Sequence, residues 1–392
     1  MEKAKRILSG FGLIILFGEV IFAGHNPILP GAERITSYLP LLEGNKIGVV
    51  ANHTSMIGNS HLVDSLLSHN INVVKIFTPE HGFRGDQDAG KKIEDAHDTK
   101  TRLPLVSLYG KNFKPTPGQL KGLDIILFDL QDVGVRYYTY ISTLHYVMEA
   151  CAENNIPVIV LDRPNPNGFY VDGPVLEDKH KSFVGLHPVP VVYGLTIGEF
   201  ATMINGEGWL KDNVTCNLKV IKCDHYTRDS YYQLPVKPSP NLPDMLSVYL
   251  YPSLGFFEGT IMNVGRGTVF PFKVIGHPDY PYCEFSYMPK SRPGETLYPK
   301  HEGKVCCGID LRMLNIDYIK RKKQIKLDWL IKVYREMWRD EFFNSYFKLL
   351  AGTNQIQSMI IEGKSVEEIR ESWQDDLNKY LAVRAKYLIY PD

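Results

Sequence analysis

Glu80, His81 and Arg84 follow directly on the apolar, β-branched run Ile71 to Ile76, in the stretch Phe77-Thr78-Pro79-Glu80-His81-Gly82-Phe83-Arg84-Gly85. The run reads as a buried parallel strand, and the proline ends it where a carboxylate, an imidazole and a guanidinium begin. Three other apolar runs end in the same way. Asn52-His53 follows Lys46 to Ala51, Asp129-Leu130-Gln131-Asp132 follows Ile125 to Phe128, and Asp162-Arg163-Pro164-Asn165 follows Pro157 to Leu161. Solvated loop ends carry Ser, Gly and Lys more often than this concentration of Asp, Glu, His, Asn and Arg. In open α/β sheets ligands bind outside the carboxyl ends of the strands, so the four clusters predict one shared crevice. Each residue also has a local alternative. His53 could cap the next helix, Asp132 could fix its own loop, and Asp162 could form a turn. Arg136 could pair with Asp129 or Asp132, and Glu258 could bond to nearby backbone.

The chemistry narrows by subtraction and by type. No Gly-x-Gly-x-x-Gly follows the first strand, and no Walker loop, Gly-x-Ser-x-Gly elbow or His-Glu-x-x-His is present, which argues against dinucleotide enzymes, nucleotidases, α/β-hydrolases and zincins. What remains is a carboxylate-rich cleft with arginines and with Tyr137, Tyr138 and Tyr140 beside it. Such a set suits a carbohydrate, because apolar rings stack on sugar faces, Asp, Asn and Gln bind hydroxyls, and an acid/base pair breaks a glycosidic bond. Glu80 serves as general acid if Phe77 and Phe83 make its setting apolar enough to raise its pKa, while the charges of His81 and Arg84 pull the other way.

Elements of regular length must hold these groups. Strands of five or six residues alternate with helical patterns at Arg34 to Leu42, His61 to Ser68 and Ile141 to Asn154, which predicts βαβ units and a parallel, Rossmann-like sheet. Leu105 to Leu108 reads as a further strand, Pro115 to Gly118 as a turn, and Val189 to Val192 as one more candidate strand. Thr196 and Glu199 form a capping box, which makes Glu199 structural rather than catalytic. The Pro-rich segment Leu234 to Pro243 interrupts all periodicity and marks a boundary, giving a domain over 24–233 and a second over 234–392. Gly255 to Pro271 is glycine-rich. Helices follow at Asp328 to Arg339 and at Ser365 to Leu388, the latter with a Ser365/Glu368 capping box and a packing stripe of Ile369, Trp373 and Leu377.

Composition bounds the partners. Lys plus Arg and Asp plus Glu both number 44 in 392 residues, so no global field points to nucleic acid or an anionic membrane. Lys3, Lys5 and Arg6 precede an apolar run from Ile7 to Phe22 closed by Ala23, the pattern of a signal peptide over 1–23. Export to the periplasm or outside the cell is therefore expected, with no stable membrane insertion after cleavage. The six cysteines show no zinc spacing; Cys151 reads as a buried thiol, the pairing of the others stays open, and neither metal nor cofactor is expected.

Several ordered motifs together resemble one family. Asn52-His53-Thr54, Pro79-Glu80-His81-Gly82-x-Arg84-Gly85, Asp129-x-Gln131-Asp132-x-Gly134-x-Arg136-Tyr137-Tyr138-Thr139-Tyr140, Asp162-Arg163-Pro164-Asn165-Pro166, and Glu258-Gly259-Thr260 with Gly265-Arg266-Gly267-Thr268 are similar to those of the exo-β-N-acetylmuramidases, long known as a domain of unknown function. The resemblance extends to the closing Ser365-x-x-Glu368-Ile369-x-x-x-Trp373 helix. It implies exo-hydrolysis of terminal N-acetylmuramic acid from the non-reducing end of peptidoglycan fragments. It also implies a Rossmann-like N-terminal domain, a smaller α/β C-terminal domain and an active site in the cleft between them. Glu80 matches the family's proposed catalytic glutamate. Muramic acid carries a lactyl carboxylate, for which a bidentate arginine is the natural reader, with Arg136, Arg163 and Arg266 as candidates. Glu258, Asp129, Asp132 or Asp162 could position water or stabilise an oxocarbenium ion, or the 2-acetamido group of the sugar could act as nucleophile. Asn52, His53, His81, Arg84, Gln131, Tyr137, Tyr140, Asn165 and Thr268 complete the expected substrate contacts. A non-catalytic muropeptide- or sugar-binding protein, and a hydrolase of another bond using Ser55 beside His53, are the alternatives.

Overall fold

The computed structural model describes residues 26–80, 82–84, 96–110, 112–337 and 339–391. The expected leader, His81 and Gly85 lie outside the described residues.

The strands β1 (Ile47–Ala51), β2 (Val73–Thr78), β3 (Ala96–His97), β4 (Pro104–Ser107), β5 (Ile125–Asp129), β6 (Val158–Leu161) and β7 (Leu218–Ile221) form one sheet in the order β3-β4-β2-β1-β5-β6-β7. All neighbours are parallel except the β3 edge strand. Every residue of β1, β5 and β6 is buried, which explains why these runs are continuously apolar instead of alternating: both faces of the sheet are covered. On one face Tyr38, Leu42, Leu62 and Leu66 pack from the helices Ile35–Leu42 and Leu62–Ser68. The opposite face carries the helices Tyr140–Glu153 and Ile197–Gly206, and its apolar cluster runs without a break into Leu250, Phe256 and Phe347 of the C-terminal half.

Chain order reverses around β1. The chain builds outward through β2 and β4 on one side, then crosses to β5 and builds outward through β6 and β7 on the other. The carboxyl ends of β1, β2 and β5 therefore open on a topological switch point, where a crevice is built into the fold.

The C-terminal half holds a three-stranded antiparallel sheet of β8 (Val274–His277), β9 (Phe285–Tyr287) and β10 (Cys306–Asp310), with β10 central. A Cys283–Cys307 disulfide ties the segment before β9 to β10, while Cys151, Cys216, Cys223 and Cys306 are free and buried. The last helices return to the first domain. Arg370 pairs with Asp172 at 2.9 Å, and the Tyr380 hydroxyl donates to the Tyr193 carbonyl at 2.7 Å.

Several elements differ from expectation. Pro117–Leu120 is a short helix, because Thr116 and Gln119 make a capping box where a turn was expected. Val189 to Val192 forms only isolated bridges, from Val192 to Val135 and Asp172. The closing helix breaks into Val366–Glu371, Gln374–Arg384 and a last 3-10 turn, although both expected capping boxes form and Ile369, Trp373 and Leu377 are buried as a stripe. The α/β character expected of the C-terminal part is present, but the positions of β7 and of the individual C-terminal strands were not anticipated: their runs are short and interleaved with polar residues.

Candidate active site

A cavity of about 210 Å³ lies over the switch point, walled by Glu80, Tyr109, Tyr137, Tyr138, Tyr140, Phe183, Asn241, Tyr251, Glu258, Arg266 and Tyr346, with Thr139, Val184, Ser239 and Leu350 completing it. Glu80 reaches it because Pro79 ends β2 and turns the next side chain out of the sheet. Strand β2 pairs with β4 so that Thr78 faces Ser107. Two residues beyond that pair stand Glu80 and Tyr109, and both line the cavity. Burial, then the Glu80 charge, holds the Tyr109 phenol well above its ordinary pKa, so it stays a proton donor.

The facing wall comes from the C-terminal half. The helix Met245–Leu254 runs into a 3-10 turn, Gly255–Gly259, that carries Glu258. A Cβ at Gly255 would come within 2.4 Å of the Tyr137 ring, so only glycine lets this turn approach. Arg266 donates from Nε to the Glu258 carboxylate at 2.6 Å, and its guanidinium sits 5.1 Å from the centre of the Phe272 ring. Burial opposes the Arg266 charge, but the charge and hydrogen bond of Glu258 overcome it and raise its pKa. The two Nη groups of Arg266 form no hydrogen bond among the described residues. Tyr346 is pushed up to about 12 by burial and then by the carboxylates of Glu258 and Glu80, so it too remains a neutral hydroxyl.

The sequence-predicted residues divide sharply. Glu80, Glu258, Arg266, Tyr137 and Tyr140 line the cavity. Asn52 stands one layer behind, donating to the Tyr140 hydroxyl at 2.6 Å and accepting from Thr54. Half-buried His53 bonds through Nε2 to the Lys237 carbonyl at 3.0 Å. His81 lies outside the described residues.

The other expected ligands do not line this cavity and are bonded within the protein. Asp129 is fully buried in a two-point ion pair with Arg163, at 2.5 and 2.8 Å, and Arg163 also donates to the Met56 carbonyl. Gln131 donates to the carbonyls of Asp132 and Pro164, both at 2.8 Å. Asp132 accepts from the Tyr193 hydroxyl and the Gly134 amide. Asp162 accepts from Thr196, Gly198 and Tyr390, holding the start of the helix Ile197–Gly206. Burial pushes both Asp132 and Asp162 up to about 6, against their hydrogen bonds. Asn165 donates to the Leu195 carbonyl, Thr268 donates to the Gly265 carbonyl, and Arg84 makes a two-point pair with Asp98, both contacts at 2.8 Å.

Arg136 is among the most extensively bonded of them. It is fully buried and donates to four backbone carbonyls: Pro174 and Val189 at 2.8 and 2.7 Å, Leu350 and Ala351 at 3.0 and 2.8 Å. Burial draws its pKa down to about 9. It joins the two halves of the chain.

Tyr109, Tyr251, Tyr346 and Asn241 are cavity residues that sequence reasoning missed. Tyr109 had a signal, since it follows the strand read at Leu105 to Leu108. Tyr251 and Tyr346 sit among other aromatics, where nothing local marks them.

Two family models cover this architecture: "Exo-beta-N-acetylmuramidase NamZ, N-terminal" matches residues 47–246 and "Exo-beta-N-acetylmuramidase NamZ, C-terminal" matches residues 249–390. The chain belongs to the exo-β-N-acetylmuramidase NamZ family. A curated relative, peptidoglycan β-N-acetylmuramidase NamZ of Bacillus subtilis, is 40% identical over 420 residues, covering 98% of this chain and all of that protein. Two solved DUF1343 family proteins from Bacteroides fragilis share the fold. One has a TM-score of 0.87 at 44% identity and covers 94% of this chain and all of its own; the other has 0.80 at 30%, over 93% and 99%. Within the NamZ family fold, the parallel sheet supplies Glu80 and Tyr109, and the smaller C-terminal part supplies Glu258 and Arg266.

Proposed function

We propose that this NamZ-family chain is an exo-acting glycoside hydrolase that releases terminal N-acetylmuramic acid from the non-reducing end of peptidoglycan fragments. The observation that carries the reading is the meeting in one cavity of Glu80, at a strand end, with the Glu258–Arg266 pair brought from the other half of the chain. Cleaving a glycoside needs a carboxylic acid beside the leaving oxygen, and Glu80 is a carboxylate that lines the cavity together with the Tyr109 phenol. Reading a lactyl carboxylate needs a cation with free N–H groups, and Arg266 keeps its Nη pair available in the cavity. Glu258 holds Arg266 in place and lies where it can order water or offset positive charge on the sugar ring. The tyrosine walls of the cavity offer ring faces and neutral hydroxyls to a pyranose.

Export is part of the same proposal. The Cys283–Cys307 disulfide suits an oxidising compartment, and the apolar run ending at Ala23 supplies a leader. Among the described residues no helix is long and apolar enough to cross a membrane. Sequencing the N-terminus of the mature protein tests the cleavage.

Release of the chromophore from para-nitrophenyl β-N-acetylmuraminide tests the activity, with the N-acetylglucosaminide as control and Glu80→Gln as the variant. Cleavage of the muraminide alone, reduced about 10²- to 10⁴-fold in the variant, supports the assignment. A folded protein that binds the muraminide without cleaving it is instead a sugar-binding protein.

A further inference from the structure

Lys300 lies outside the cavity and is used by none of the chemistry above, yet its ammonium is aimed at the backbone that carries Glu258. Its Nζ lies 3.2 Å from the Phe257 carbonyl, 2.9 Å from that of Glu258, 2.6 Å from that of Thr260 and 3.3 Å from that of Met262. Four acceptors from one short segment converge on a single part-buried cation. Two of these carbonyls belong to the Gly255–Gly259 turn and two to the stretch just after it, so the lysine ties the end of the turn to the chain that follows.

The main chain of Lys300 is held in the same network. Asn263 donates from Nδ2 to the Lys300 carbonyl at 2.9 Å and to the Arg266 carbonyl at 3.2 Å, while its Oδ1 accepts from the Gly265 amide and from the Tyr287 hydroxyl. One residue on, the His301 ring bonds through Nε2 to the Ile261 carbonyl at 2.7 Å. The segment from Phe257 to Arg266 is also tied through its backbone to Phe342, Asn344 and Gly276, and the 300–301 segment adds a further set of bonds to it.

We propose that Lys300 is a positioning residue for the C-terminal wall of the cleft, helping to hold the 257–262 backbone so that Glu258 meets Arg266 in the cavity. This rests on the reading of that cavity as the place where the sugar is bound and cleaved. A catalytic group displaced by about 1 Å loses about 10²-fold in rate, so a backbone strap beneath Glu258 acts on turnover without touching substrate.

The strap depends on charge. Burial draws the Lys300 ammonium down to about 8, with Glu258 raising it and Arg266 lowering it. On the neighbouring side stand His301 and, 4.4 Å from it between ring centres, His277. Both imidazoles are lowered primarily by burial, so they are neutral near pH 8; Asp279 and Lys304 are the remaining charges facing His301. Above pH 8 the neutral amine loses one donor and the charge assistance of the others, and the wall loosens.

Steady-state hydrolysis of the para-nitrophenyl muraminide from pH 6 to 10, in the wild type, Lys300→Met and Lys300→Arg, tests the proposal. The expected results are a wild-type alkaline limb near pH 8, a displacement of that limb to higher pH in Lys300→Arg, and a 10- to 100-fold loss of kcat/KM per folded molecule in Lys300→Met. A merely structural lysine would lower Tm and leave the rate per folded molecule and the pH profile in place, and that result overturns the proposal. If Lys300→Met does not fold, coincident alkaline limbs in the wild type and Lys300→Arg overturn it equally. Absence of any wild-type hydrolysis removes the functional reading itself, and the proposal with it.

Discussion

Arg266 Nε lies 2.6 Å from the Glu258 carboxylate in a cavity whose other carboxylate is Glu80. The pair is part-exposed, with 27% and 22% of the two side chains open, so a ligand carboxylate can reach the guanidinium. Of the three arginines with a sequence claim to read the lactyl group, only Arg266 stands in the cavity.

Selectivity between muraminide and glucosaminide should therefore reside at Arg266. Arg266→Ala is expected to lower kcat/KM for the muraminide about 10- to 100-fold, the worth of a hydrogen bond to a charged group, and to leave the much weaker glucosaminide reaction nearly as it was. Arg266→Lys keeps the charge but not the fork, and should recover only part of the loss. An undiminished preference in Arg266→Ala would sink this assignment.

Removing the Tyr109 hydroxyl tests what this phenol does for Glu80. Tyr109→Phe keeps the ring that lines the cavity and removes only the hydroxyl. The expected outcome is a fall in kcat of about 10-fold with little change in KM, measured on the para-nitrophenyl muraminide. Equal kcat in the two enzymes would mean that the phenol does not serve Glu80.

Arg136 should behave as a structural residue. Arg136→Met leaves the carbonyls of Pro174, Val189, Leu350 and Ala351 without their donor, in a site with no solvent access. A loss of about 3 kcal/mol or more, seen as a Tm lower by several degrees, is expected. Gly352, at a φ of +72°, packs so closely that a Cβ there would lie 2.5 Å from the guanidinium, so a shifted side chain has little room. Folded Arg136→Met that keeps full Tm but loses muraminide selectivity would restore Arg136 as a ligand.

Asp132 predicts a pH signature in stability. Its folded pKa is about 6, above an unfolded value of 3.8, because burial outweighs its hydrogen bonds. A raised carboxyl contributes fully below the unfolded value, and that contribution is lost as pH rises through about 6. Asp132→Asn does not titrate, so its stability relative to the wild type should improve by roughly 1 to 3 kcal/mol between pH 4 and pH 7. Urea melts at the two pH values measure this, and a difference that does not change with pH refutes it.

Local physics made much of this protein readable from its residues alone. Continuous apolar runs such as Ile125 to Phe128 announced strands buried on both faces, and Thr196 with Glu199 announced a helix start, because both signals are satisfied within a few residues. The polar clusters at four strand ends announced a crevice, since parallel strands in such sheets open their carboxyl ends on one side. What no local signal carried was which members of each cluster face the crevice. Asp129 and Arg163 are 34 residues apart, yet they neutralise each other in the core, and two of the four carbonyls that Arg136 donates to lie more than 200 residues away. A buried charge must find its partner wherever the fold brings one, so a carboxylate or guanidinium in a motif is ligand or strut only by tertiary placement. Tyr346, Tyr251 and Lys300 join the cleft and its support for the same reason: their neighbours are chosen by packing between distant segments, and chain distance holds no trace of that choice.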